Sequence, residues 1–320
     1  MPNTTNITIR PYLVASNWDT LQSWTAGFCT AAILANAFLL YILIAKIRPW
    51  TPFTIYVVLL TIANILNGIL QNPASLLIKD ALPFPLIRPF CIVHLFLRIP
   101  IGLLLPIGHM LICVNRIFAI VTPILYKRYH TKKLAYWISG LLILAAVFIT
   151  VPGVLMDAQL YRTAMADNRC SMMFASSLMQ LWSTVYGALF YNVPVMVITL
   201  SYPLFIWKKF CQRKRNVRPT EYNSRSVVST NKATSTSAVK TRKASGRSFA
   251  ILTVMTVSVT VCWTPSNVYF WIHSQDFYFF AVVNLLKLLQ SAIDPLLFLA
   301  TMVELRIASA QILLLGRRKA

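Results

Sequence analysis

The chain has 320 residues, of which 57% are apolar and only 12% are charged, and its formal net charge is +22. A soluble domain carries about 25% charged residues, so this composition and the mean hydropathy of +0.64 exclude an ordinary soluble protein. The apolar residues fall in blocks of roughly 20 or more, the length that a helix needs to cross a bilayer. The sequence therefore predicts an all-α membrane protein.

A polar tail, residues 1–23, comes first and lacks the apolar core of a cleavable signal peptide. The first membrane helix is therefore expected to direct insertion. Asn3 and Asn6 each begin an Asn-x-Thr sequon, the acceptor sequence for N-glycosylation. We predict an extracellular tail that is glycosylated at both asparagines.

Seven apolar blocks follow the tail. Each is expected to be a helix, because a segment in hydrocarbon must satisfy its own backbone hydrogen bonds. The predicted spans are 24–46, 53–79, 90–121, 134–156, 178–207, 248–273 and 277–302. No internal repeat divides residues 24–302, which we interpret as one seven-helix domain. Its third inner loop, about residues 208–247, is rich in Lys, Arg, Ser and Thr and is predicted to be disordered.

The last segment, residues 303–320, contains an amphipathic stretch over 305–315 that is too short to span a membrane. Such a helix is expected to lie in the cytoplasmic interface. The predicted fold is therefore a seven-transmembrane helix bundle with a short amphipathic eighth helix and a cytoplasmic tail.

The distribution of charge predicts the side on which each loop lies. Most of the 30 basic residues fall in segments that are cytoplasmic if the N-terminus is outside. The positive-inside rule then predicts an extracellular N-terminus and a cytoplasmic C-terminus, and we expect a multi-pass protein of the plasma membrane. Because the positive charges flank membrane helices, they indicate contact with anionic membrane lipids and no nucleic-acid partner.

Short motifs recur along these helices in a fixed order. The sixth block carries Cys262-Trp263-Thr264-Pro265, and the seventh carries Asp294-Pro295-Leu296-Leu297-Phe298. Further matching positions are Asn36, Asn64, Pro73, Cys91, Arg116, Pro123, Tyr126, Pro194, Tyr202 and Leu305-Arg306. In order and spacing, the chain resembles a rhodopsin-like (class A) G-protein-coupled receptor over nearly its whole length.

The resemblance implies a receptor that binds an extracellular ligand, a small molecule or a peptide, between its helices. It also implies activation of a heterotrimeric G protein through a conformational switch. The residues implied in coupling and switching are Asn115, Arg116, Tyr202, Trp263, Pro265, Asp294, Pro295 and Phe298. Cys91 and Cys170 are the cysteines placed to face the oxidising outside, and a disulfide between them would tie the second outer loop to the third helix.

The chain departs from the family around Arg116. The acid that usually precedes this arginine is Asn115, and the tyrosine that usually follows it is Ile117. The sixth-helix acid that would pair with the arginine is replaced by Ser245. Arg116 therefore lacks both usual carboxylate partners, and our hypothesis is raised basal activity, because the resting state loses part of its stabilisation. These and other departures suggest a divergent branch of an invertebrate chemosensory type.

A second departure concerns a polar pair, which is exchanged between helices. The second helix carries Asn64 where the family has a carboxylate, and the seventh carries Asp294 where it has asparagine. An Asp–Asn hydrogen bond, with or without protonation of the acid, would satisfy Asp294. A sodium ion held by Asn36, Asn64 and Asp294 is the one candidate cofactor, and Leu105 argues against it, because sodium-binding relatives often have serine there.

Candidate ligand-binding residues converge from three helices, on faces defined by spacings of three and four. They are His94, Arg98 and Ile101 in the third; Trp263, Asn267 and Trp271 in the sixth; and Lys287 and Ser291 in the seventh. Arg98 and Lys287 favour an anionic ligand group. Alternatively, Arg98 reaches Asp157 or Asp167 of the outer loop, or lipid headgroups.

Three other functions remain as alternatives. A decoy receptor that binds without signalling would explain Asn115 and Ile117. A membrane transporter would need a polar path or broken, repeated helices, and the sequence offers few such residues. An enzyme is not expected, because the four histidines are scattered and form no set typical of a metal or nucleophile site. Among them, His109 is predicted to be a hydrogen-bonded packing residue.

Overall fold

The fold is taken from a computed structural model, which describes residues 18–80, 84–161, 176–216, 253–269, 271–272 and 277–317. Several sequence predictions lie outside these residues. They are the glycosylation sites Asn3 and Asn6, the loop residues Asp167 and Cys170, and Ser245 with most of the third inner loop.

The described residues form a bundle of helices, which confirms the predicted fold class. In chain order the helices are α1 (Trp18–Ala45), α2 (Pro52–Asp80), α3 (Phe84–Val121), α4 (Pro123–Tyr129), α5 (Lys132–Met156), α6 (Ser177–Gly187), α7 (Val193–Asn216), α8 (253–269), α9 (Phe277–Thr301) and α10 (Val303–Arg317). A π turn, Ala188–Asn192, joins α6 to α7 into one continuous span, and another, Asp157–Tyr161, extends α5. Six spans are long and apolar enough to cross a membrane, and α8 supplies a seventh apolar helix.

Helix α4 and both π turns were not predicted. The helix α4 begins at Pro123, whose fixed φ and missing N–H suit the first helical turn. It connects α3 to α5 on the side that we predict to be cytoplasmic. This short helix brings Tyr126 and the following His130 back to the end of α3.

The bundle is organised around α3, which packs against α2, α5 and α7, while α1 packs against α2 and α9. A common core includes Leu39, Tyr56, Leu103 and Phe298. The helices approach closely where glycine removes the side chain: a Cβ on Gly108 would lie 3.1 Å from a methyl carbon of Leu60.

Large apolar side chains also cover the outside of the bundle. Leu34 is 65% exposed and Phe148 is 78% exposed, although both lie in the middle of long helices. Water would disfavour such a surface, whereas lipid tails solvate it. The pattern agrees with a multi-pass membrane protein.

The eighth predicted segment is α10, which follows α9 after a single non-helical residue, Met302. It packs against α9 and α1 through Leu305 and Ala308, which are buried. Ile307 and Leu314 are exposed on another side of α10. One apolar side therefore faces the bundle, and the other is available to the membrane interface.

Candidate functional site

The outer half of the bundle contains two cationic side chains that act on each other. Arg98 of α3 and Lys287 of α9 are close enough for their positive charges to repel. The hydroxyls of Tyr186 and Tyr191 also act on Arg98. In the described part of the chain no carboxylate acts on either cation. This part of the bundle therefore has an unbalanced positive charge.

The two tyrosines reach Arg98 because of the π turn between α6 and α7. Tyr186 lies in α6 and Tyr191 lies within the turn, where the widened helix changes the direction of the side chains. Their rings pack edge to face. The Tyr191 hydroxyl lies beside Gly102 of α3, where an added Cβ would be at 3.5 Å, an ordinary van der Waals contact.

An aromatic chain leads from this pair to the sixth helix. The rings of Trp182 and Tyr186 stack with centroids 4.9 Å apart. Tyr191 lies 5.8 Å from Tyr186 and 5.8 Å from Trp263 of α8. Trp263 is only 1% exposed, and its Nε1 has no hydrogen-bond partner among the described residues. The aromatic chain thus connects the cationic pocket with a buried tryptophan in the bundle core.

The remaining predicted pocket residues are not all brought together. His94 is buried, stacks on Phe90 with centroids 6.0 Å apart, and lies within electrostatic reach of Arg98. Ile101 and Asn267 are half-buried. Trp271 is 56% exposed, although it is still helical and the Ile272 N–H donates to the Val268 carbonyl oxygen at 3.0 Å. Its role in the pocket stays a prediction.

Ser291 is another predicted pocket residue, and its role there stays a prediction. It is buried, and its hydroxyl donates back to the Lys287 carbonyl at 3.3 Å. Its own carbonyl accepts a bond from Asn36 Nδ2 at 2.8 Å. Ser291 therefore links α9 to α1 in the middle of the bundle.

A buried polar cluster surrounds Asp294 in the middle of the bundle. Asp294 is 1% exposed and accepts bonds from Asn64 Nδ2 at 3.1 Å and Gln290 Nε2 at 2.6 Å. Asn64 also donates to Asn36 Oδ1 at 3.3 Å. The Asp–Asn hydrogen bond expected from the exchanged pair is therefore present. In addition, His109 Nε2 lies 3.0 Å from each carboxylate oxygen of Asp294.

His109 and Gln290 were not predicted as members of this cluster. Gln290 lies one helical turn before Asp294, so its position on the same face could have been found from spacing alone. The partner of His109 could not be found in this way, because the spacing within α3 does not tell which side chain of α9 lies opposite. The prediction of a hydrogen-bonded packing residue described its burial but not its contact with Asp294.

The end of α3 forms a second polar cluster with α4. Asn115 Nδ2 donates to His130 Nε2 at 2.8 Å, and the Tyr126 hydroxyl donates to Asn115 Oδ1 at 3.4 Å. Because an amide nitrogen only donates, His130 accepts at Nε2 as the neutral imidazole. Its ring stacks on Tyr126 with centroids 5.1 Å apart. Burial lowers the pKa of His130, which also favours this neutral form.

Arg116 rests on an aromatic ring. Its guanidinium carbon lies 3.4 Å from the ring centroid of Phe53 in α2, and its Nε has no hydrogen-bond partner in the described residues. The more distant charge of Glu304 also acts on it. Arg116 thus has a cation–π contact with Phe53, whereas the arginine at this position in the family pairs with a carboxylate. The side chain of Tyr202 is not among those described.

A small cavity lies between the two polar clusters. Its lining includes His109, Cys113, Arg116 and Thr256, and it has room for about one water molecule. The hydroxyl of Thr256 has no partner among the described residues. The cavity places polar groups between the Asp294 cluster and Arg116.

Other predicted positions lie in the expected elements. Pro265 lies within α8 and Pro295 within α9, where each removes a helix hydrogen bond. Phe298 is buried in the core. Cys91 is buried and disulfide-bonded. Its pairing with Cys170 stays a prediction, because Cys170 lies outside the described residues.

Comparison with known families agrees with this architecture. The family described as "7 transmembrane receptor (rhodopsin family)" matches residues 35–298, from the first helix to the end of the Asp-Pro motif. No curated protein matches the chain. With long apolar helices in the described part of the chain and a family match over most of its length, the chain belongs to the rhodopsin family of seven-transmembrane receptors.

Proposed function

We propose that the protein is a plasma-membrane receptor with an extracellular N-terminus, which binds a ligand between its helices and activates a heterotrimeric G protein. The family supports a receptor of this type. The concentration of basic residues in the predicted inner segments supports the orientation. The signalling step rests on Arg116, which lies at the predicted cytoplasmic end of α3.

The ligand that we propose carries an anionic group, such as a carboxylate, sulfate or phosphate. One observation carries this proposal: Arg98 and Lys287 repel each other, and no carboxylate acts on them in the part of the chain that is described. An anion between them would relieve the repulsion and gain charge-assisted hydrogen bonds. An amine would be repelled by the same pair.

The aromatic chain provides a physical route from ligand to switch. A ligand bound at Arg98 would shift the neighbouring Tyr186 and Tyr191, and Tyr191 lies against Trp263. Trp263 is two residues before Pro265, where α8 lacks a backbone hydrogen bond and can hinge. Ligand binding would favour the signalling conformation by as much as its affinity differs between the two states.

A paired chemical screen tests the ligand class. Organic carboxylates, sulfates and phosphates are applied to cells that express the receptor, each beside an uncharged ester or amide and an amine of the same skeleton. We expect G-protein activation by some of the anions and by none of the matched amines. Activation by amines with no response to anions would contradict the proposal.

Variants of Arg98 then separate ligand binding from a structural role in which Arg98 reaches Asp157 or Asp167. Arg98→Lys keeps the charge and should retain part of the response, whereas Arg98→Gln should lose it. Arg98→Glu reverses the charge and should shift the preference from an anionic agonist toward its amine analogue. A structural role predicts instead that Arg98→Glu loses both responses.

A decoy receptor is the second candidate, and Asn115 and Ile117 are the residues that favour it. The two candidates differ in one readout. A decoy would bind the anionic ligand without any change in G-protein activity, and its binding would not depend on the presence of a G protein.

A further inference from the structure

The acid in the middle of the bundle is fully supplied with hydrogen-bond donors. Asp294 is 1% exposed, and an ionised carboxylate in such a place is costly unless it is paired. Gln290 Nε2 lies 2.6 Å from Oδ1, and Asn64 Nδ2 lies 3.1 Å from Oδ2. His109 Nε2 lies 3.0 Å from both oxygens. Both oxygens therefore have donors from the chain itself.

The proton positions follow from the other side of the imidazole. His109 Nδ1 lies 2.8 Å from the Leu105 carbonyl oxygen, which only accepts, so Nδ1 carries a proton. Nε2 faces two carboxylate oxygens and must share a second proton with them. Because the amides of Asn64 and Gln290 also donate to this carboxylate, the arrangement is that of an imidazolium beside an ionised Asp294.

These contacts do not fit a sodium ion, the candidate cofactor suggested by Asn36, Asn64 and Asp294. A hard cation requires oxygen ligands, but Asn64 turns its Nδ2 toward both Asp294 and Asn36 Oδ1. The imidazole of His109 covers the two oxygens of Asp294. Leu105, where a hydroxyl would help to hold the ion, is a buried aliphatic residue.

We propose that His109 is a built-in cation that occupies the place of a sodium ion beside Asp294. The charge that balances Asp294 is then part of α3 and does not leave. The balance between resting and signalling conformations accordingly does not respond to the sodium concentration. Removing the imidazole should open the site and make the receptor dependent on sodium. This inference concerns the bundle core and does not require the proposed ligand.

Thermal unfolding of the purified full-length receptor tests the inference without any ligand or G protein. The unfolding temperature is measured in equal concentrations of NaCl, KCl and N-methyl-D-glucamine chloride. For the wild type we expect the same value in all three salts. For His109→Ala we expect a lower value in KCl that recovers in NaCl, by about 2 °C for each tenfold rise in sodium above its dissociation constant. His109→Ser should recover at least as well, because its hydroxyl adds an oxygen ligand.

Two results would overturn the inference. One is a sodium-specific stabilisation of the wild type that disappears in Asp294→Asn, since the ion would then bind despite His109. The other is a folded His109→Ala variant that unfolds at the same temperature in all three salts. If neither His109 variant folds, the comparison of the wild type with Asp294→Asn decides alone.

Discussion

Replacing Phe53 by leucine should raise the G-protein activity of the unliganded receptor. The guanidinium carbon of Arg116 lies 3.4 Å from the centre of the Phe53 ring, and Phe53 is only 5% exposed. Arg116 cannot keep this position and at the same time extend toward a G protein. On the proposed role of Arg116 in coupling, the contact stabilises a conformation that does not couple, and leucine removes it while keeping the position apolar.

The size of the effect follows from the burial of the ring. A cation–π contact contributes about 0.5–1 kcal/mol at an exposed site and about 2 kcal/mol or more when it is desolvated. Phe53 is buried, so the upper figure applies. Because about 1.4 kcal/mol is a factor of ten, loss of the contact should shift the equilibrium toward the coupling conformation by roughly 30-fold. The change in signal will be smaller if the wild type already has high basal activity.

Nucleotide exchange on the G protein, measured in membranes at matched surface expression, provides the assay. Phe53→Tyr keeps an aromatic ring and should stay near the wild type. Ile55→Val trims another buried side chain of α2 and controls for a general loosening of the core. The reasoning is refuted if Phe53→Leu shows no more basal exchange than the wild type, or if Ile55→Val raises it equally.

Two further predictions concern stability. A Cβ on Gly153 would overlap the indole of Trp182, so Gly153→Ala should lower the unfolding temperature at a cost of about 1–3 kcal/mol. Gly140→Ala, which meets open space, should not, and equal losses would contradict the packing. Because burial lowers the pKa of His130, the neutral imidazole that accepts from Asn115 is favoured in the folded state. Its contribution is complete above the unfolded value of about 6.5 and is lost as the pH falls through the lower folded value. Unfolding temperatures should show this loss between pH 8 and pH 5, which lie about one to two units on either side of 6.5. If His130→Gln lost as much stability over this range as the wild type, the prediction would be contradicted.

Hydropathy and charge predicted the helices because each membrane span must satisfy its own backbone and exclude charge over a fixed length. Features that add one residue or one turn could not be predicted in this way. The π turn that places Tyr191 leaves the apolar run of residues continuous and does not change its length, so hydropathy does not reveal it. The 56% exposure of Trp271 could not be predicted from spacing either, because it depends on what packs against that face of the helix.

The site was predictable where it depends on a single helix and not where it depends on the contact between helices. The exchanged pair Asn64 and Asp294 was expected to hydrogen-bond, and it does. The contact of His109 with Asp294 joins residues of α3 and α9 that are far apart in sequence. Phe53 resembles any other core residue until the packing of α2 against α3 places it beneath Arg116.

Basal G-protein activation in cells tests the central claim, that the chain is a coupled receptor with Arg116 at its switch, most directly. The wild type and Arg116→Ala are compared at equal surface level beside an empty-vector control. The account predicts a wild-type signal above the vector that falls in Arg116→Ala, because Arg116 has lost both carboxylate partners and the cation–π contact with Phe53 replaces only part of their restraint. A wild-type signal equal to that of the vector would contradict the raised basal activity, and a signal that is unchanged in Arg116→Ala would contradict the role of this arginine in coupling.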